Sequence, residues 1–96
     1  MSTRKRLPNR RTNLAFTFEF EGHRYRASAG RFADGRLAEI FLDTDKHGTP
    51  LQLNAETAAI LTSIALQYGV DARTIRHAVN GPIAVALDHF TKIAVL

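Results

Sequence analysis

The strongest constraint on the fold is the alternation of Leu14, Phe16, Phe18 and Phe20 with Ala15, Thr17 and Glu19. A period of two sets these large apolar side chains on one face of a single β-strand. That face requires a second layer to cover it. Glu21-Gly22 can form a two-residue hairpin turn, and the register it sets pairs Phe20 with His23, Glu19 with Arg24, Phe18 with Tyr25 and Thr17 with Arg26. Aromatic then meets aromatic and acid meets base, as a stable antiparallel pair requires.

Asp34-Gly35 repeats the turn chemistry and sets Ile40 and Leu42 opposite Ala29 and Ala27, on the face already occupied by Tyr25. In unbroken register Phe32 pairs with Leu37 on the opposite face, where Phe41 also lies, and the three form an exposed apolar docking surface. A bulge at Gly30 has the contrary consequence: it turns Phe32 inward and leaves only isolated exposed residues. Both readings stand at this point.

Lys46-His47-Gly48-Thr49-Pro50 marks a further turn, with Asn54 expected to cap a helix that runs to Tyr68. Leu61, Ile64, Ala65 and Tyr68 share one side of it. Gly69 suits the left-handed position past a helix end, and Asp71 can cap a short helix whose apolar side is Ile75, Ala78 and Val79. Gly81-Pro82 breaks the chain and restarts it, with Ile83, Ala86, Leu87, Phe90 and Ile93 at helical spacing. The expected fold is α+β: an antiparallel meander of about three strands packed on two to three helices.

Ninety-six residues, 45% of them hydrophobic, fit one domain. Five of the 13 basic residues precede Thr12, leaving eight against all nine acidic residues in the remainder. The net +4 therefore sits in the amino-terminal segment, while the body is close to neutral. This divides the chain into a basic flexible arm, 1–13, and a domain, 14–96. The arm's Arg6, Arg10 and Arg11 could contact phosphate, but no aromatic residue accompanies them to stack on bases, so nucleic-acid binding through the arm would be nonspecific. Neither a signal peptide nor a membrane span is evident, and a cytoplasmic protein with no membrane contact is expected.

Cysteine is absent, which removes thiolate metal sites and thiol or thiyl chemistry by this chain itself. His23, His47, His77 and His89 lack a paired-ligand spacing, and no Gly-rich loop leads into a helix to cradle phosphate. Asp88 and His89 are helix neighbours and point about 100° apart. No metal, no cofactor and no catalytic residues are expected.

Three stretches carry a family resemblance: Asp34-Gly35-Arg36-Leu37-Ala38-Glu39-Ile40-Phe41-Leu42, then Ile64-Ala65-Leu66-Gln67-Tyr68-Gly69-Val70-Asp71, with Arg6-Leu7-Pro8-Asn9-Arg10-Arg11 ahead of them. Together they resemble the TSCPD domain, named for a Thr-Ser-Cys-Pro-Asp motif. That domain forms the carboxy-terminal part of adenosylcobalamin-dependent ribonucleotide reductases and also occurs as small stand-alone proteins. At the motif this chain reads Val79-Asn80-Gly81-Pro82. Proline is kept and glycine stands in place of cysteine, so the helix-starting role carries over and a cysteine's metal or redox role does not.

The resemblance implies a reductase-associated module, read here as a noncatalytic stand-alone accessory or interaction module; the hairpin register adds Phe32, Leu37 and Phe41 as the surface for a protein partner or a second copy. Two alternatives accompany it. One is nucleic-acid or nucleotide binding through Arg6, Arg10 and Arg11. The other is subunit-like participation in ribonucleoside-diphosphate reduction, and so in deoxynucleotide synthesis, with a separate catalytic chain.

Overall fold

In the computed structural model, which describes residues 3–5 and 14–93, the alternating aromatics form strand β1, Leu14–Phe20. Glu21 and Gly22 both take positive φ, the mirror-image turn whose twist suits a two-residue hairpin. Strand β2, His23–Arg31, pairs with β1 in the expected register, from Phe20 opposite His23 to Phe16 opposite Ala27. Strand β3, Leu37–Thr44, completes an antiparallel sheet of order β1-β2-β3. Ala27 faces Leu42 and Ala29 faces Ile40, again as the sequence predicts.

The second hairpin departs from perfect register next to its turn. Gly30 pairs with Glu39 but Arg31 pairs with Leu37, so β3 holds one extra residue, Ala38. Because side chains alternate faces with a period of two, one inserted residue moves everything beyond it to the other face. Ala38 and Leu37 both turn inward as a result, and Leu37 joins the core at 7% exposure. Phe32 is buried to the same degree. Lys5 Nζ lies 5.3 Å and Arg36 Cζ 5.0 Å from its ring centre, so cations cap the ring from outside.

Helix α1, Pro50–Gln67, begins before the cap expected at Asn54. Thr49 is the N-cap: its hydroxyl accepts from the Gln52 amide at 3.3 Å, and Pro50 follows where a missing amide hydrogen costs nothing. Asp71 caps α2, Ala72–Ala78, by accepting from the Arg73 amide at 2.8 Å. Gly81, at φ 85°, turns the chain into α3, Pro82–Ile93. An ion pair of 2.9 Å between Arg76 and Asp88 joins α2 to α3.

The core lies between the sheet and the helices. Tyr25, Ala27, Ile40 and Leu42 meet Ala55, Ala59 and Leu66 of α1 and Ile83, Leu87 and Phe90 of α3. Phe16 stacks on His89 of α3 at 3.7 Å between ring centres and meets Phe90 edge-on at 5.4 Å. His89, expected to be a surface polar residue, is thus half-buried against an aromatic ring.

Helix α1 also runs along the outer edge of β3. The Ser63 hydroxyl accepts from Ile40 N at 2.9 Å and donates to Ile40 O at 3.0 Å, while Gln67 Nε2 donates to Ala38 O at 3.2 Å. These side chains supply the hydrogen bonds that a further strand would have made, which protects the edge from pairing with another chain. The architecture is α+β. No described helix is long and apolar enough to cross a membrane.

Candidate functional site

Because α1 lies beside β3 rather than squarely over it, one flank of the helix and the open face of the sheet enclose a groove of about 860 Å³. The open face supplies Arg26 and Ser28 from β2 and Glu39, Phe41 and Asp43 from β3. The helix supplies Glu56, Ile60, Ser63 and Gln67. Arg4 closes one end, with Nε donating to Gln67 Oε1 at 2.7 Å, and the Lys5 amide donates to the Gln67 carbonyl at 2.7 Å. Residues 3–5 of the basic arm therefore lie against the domain.

Glu39 stands out within the groove. Its Oε2 is buried and has no hydrogen-bond partner among the described residues. A buried carboxylate oxygen without a donor is unfavourable, since water solvation is lost and nothing replaces it. Three carboxylates (Glu39, Asp43 and Glu56) and two guanidiniums (Arg4 and Arg26) line the groove around an apolar floor that includes Phe41. The arrangement fits a ligand that brings a donor, preferably a cationic one, to Glu39.

The sequence-predicted residues are dispersed. Phe32, Leu37 and Phe41 do not form the exposed patch expected from perfect register: the extra residue in β3 buries Leu37 in the core, and Phe32 is covered by Lys5 and Arg36. Only Phe41 lies in the groove, half-buried. Arg6, Arg10 and Arg11 lie outside the described residues. Glu39, Asp43, Glu56, Ser63 and Gln67 were not singled out from sequence. Their signal is the shared strand face of Glu39, Phe41 and Asp43 and the i, i+4, i+7, i+11 spacing of Glu56, Ile60, Ser63 and Gln67 along one helix flank.

A second, smaller cleft of about 320 Å³ lies at the turn before α3, lined by Glu21, His23, Tyr25, Asn54, Asn80 and Pro82 among others. His23 Nδ1 is buried there and has no hydrogen-bond partner among the described residues. Burial, reinforced by the charge of Glu21, pushes the Tyr25 hydroxyl above the usual tyrosine value. Among the described residues, no cluster of three or more His, Asp or Glu is arranged to hold a metal ion.

The family model described as the TSCPD domain matches residues 2–93, nearly the whole chain. The chain belongs to the TSCPD domain family. It is 40% identical over 67 residues, 70% of its length, to a vitamin B12-dependent ribonucleotide reductase of Agrobacterium fabrum. Similar proteins of the same name are found in Bradyrhizobium diazoefficiens, 39% identical over 73% of the chain, and Streptantibioticus cattleyicolor, 35% identical over 74%. The region matched is only 5%, 6% and 12% of those three proteins. The TSCPD domain thus corresponds to a small part of each reductase, its C-terminal domain. No solved structure matches the chain.

Proposed function

We propose that this TSCPD domain is a noncatalytic interaction module that binds a ribonucleotide reductase-type catalytic chain through the groove between α1 and the open face of β2 and β3. The observation that carries the reading is Glu39 Oε2, buried in the groove wall with no donor opposite it among the described residues. A partner segment that brings a lysine or arginine to Glu39 answers that feature. The kinship with B12-dependent reductases supports the choice of partner. The lack of cysteine supports an accessory role, because thiol chemistry has to come from elsewhere.

Hydrogen–deuterium exchange on the full chain, with and without the purified B12-dependent reductase of its host, tests this reading. Protection is expected in 39–43 of β3 and along the groove flank of α1. An exchange pattern unaltered by the reductase would contradict it.

A further inference from the structure

An 18-residue helix in a domain of this size normally shows one apolar face and one charged face. Helix α1 has a single charged residue, Glu56. Its inner face packs Ala55, Ala59, Thr62 and Leu66 into the core. Its outer face is apolar as well: Leu53 is 63% exposed, Ile60 58%, Leu61 62% and Tyr68 45%, with half-buried Ile64 and exposed Thr57 between them. A helix apolar on both sides is buried on both sides, so the outer stripe calls for a partner.

The spacing of the stripe identifies that partner. In an antiparallel pair of α1 helices centred between Ile60 and Leu61, Leu53 meets Tyr68 of the second copy, Thr57 meets Ile64, and Ile60 meets Leu61. Every position of the stripe then falls on another position of the same stripe, as a two-fold interface demands. The same centring places Glu56 level with Ala65 of the second copy, within one helical turn of its Gln67. Gln67 is where Arg4 is anchored, at 2.7 Å. Antiparallel helices align like flank with like flank, so the one acid of α1 faces Arg4 of the other copy, and the pair occurs twice. Neither Glu56 nor Arg4 has an ion-pair partner among the described residues of its own chain.

We propose that two copies of this chain associate antiparallel through the outer face of α1, with Leu53, Ile60, Leu61 and Tyr68 as the apolar centre and reciprocal Glu56–Arg4 ion pairs at its rim. The helix is about 27 Å long, enough for all six stripe positions to engage at the 8–10 Å axis separation of packed helices. Contact through one helix per copy is smaller than a standard interface of about 800 Å² per partner, which places the dimer in the weak, concentration-dependent class. Ile60, Glu56 and Arg4 also border the groove, so the two surfaces adjoin; the groove reading itself rests on Glu39, which lies on the sheet outside the stripe.

Light scattering of the full chain over a concentration series up to about 100 µM, the range that resolves weak dimers, tests it. The mass should rise towards twice the 10.7 kDa of one chain. Leu61→Lys should hold it at the single-chain mass with the fold intact by circular dichroism, because Leu61 is largely exposed. Glu56→Arg and Arg4→Glu should each weaken association, and the double charge swap should restore it. A single-chain mass throughout, a dimer indifferent to Leu61→Lys, or a charge swap without restoration would overturn the proposal. A stripe protected by the reductase while the chain alone stays monomeric would overturn it equally.

Discussion

At the residue scale, Leu37 shows how one inserted residue changes a side chain's role. Perfect register would leave it exposed, where a lysine would be tolerated; with Ala38 bulged it lies in the core. Leu37→Ala should therefore cost about 2–5 kcal/mol, the range for truncating a buried leucine, read from chemical denaturation. Tyr25 makes a second residue-scale prediction. Its folded-state pKa is raised by burial and then by Glu21, so above the ordinary tyrosine range the unfolded chain loses the proton while the folded one keeps it. Stability then falls as pH rises. Melting temperature should decline above about pH 10, where tyrosine ionises, and decline less steeply in Tyr25→Phe. Asp34 acts in the opposite sense: hydrogen bonds from the Arg36 amide and guanidinium hold its carboxyl below the usual range. Its fully exposed position makes any stability lost on acidification through that lowered pKa small.

At the element scale, periodicity and turn chemistry were legible and edge geometry was not. The aromatic alternation of β1, the Glu21-Gly22 turn, the Asp71 cap and the Gly81-Pro82 restart follow from local rules, and each stands where those rules place it. The Asp34-Gly35 turn forms where expected but closes over three residues, with Phe32 N donating to Arg36 O at 2.9 Å. The start of α1 was misplaced because Thr49-Pro50 reads equally as the close of a turn and as an N-cap followed by N1. A bulge at Gly30 is one of the two readings that the sequence leaves open, and the structure has the register shift between Gly30 and Arg31, with Ala38 as the extra residue of the facing strand and Leu37 packed into the core. The groove was illegible. It exists because α1 lies along the edge of β3, a tertiary placement that Ser63 and Gln67 secure by bonding Ile40 and Ala38. Ser63→Ala leaves both polar groups of Ile40 without those partners and should destabilise by about 1–3 kcal/mol in thermal or chemical unfolding. A loss no larger than that for an exposed site such as Thr57→Ala would show that the edge is satisfied without α1.

At the scale of the whole molecule, a small sheet covered on one face by helices leaves two surfaces with unmet requirements: the groove, which holds a carboxylate without a donor, and the outer stripe of α1, which is apolar without a cover. We propose a reductase-type chain as the partner for the first, a choice that family membership supports, and a second copy as the partner for the second, a choice that the spacing supports. The two are separable by mutation. Leu61→Lys should abolish self-association and leave reductase binding in place, whereas Glu39→Gln should do the reverse. The most direct test of the central claim is a calorimetric titration of the host's B12-dependent reductase with the wild-type chain and with Glu39→Gln. Because Glu39 Oε2 makes no hydrogen bond among the described residues, the substitution should leave the melting temperature unchanged or raised. Affinity for the reductase should fall about tenfold or more, the effect of losing a charge-assisted hydrogen bond. Equal affinity for the two proteins, or no binding by either, would contradict the account.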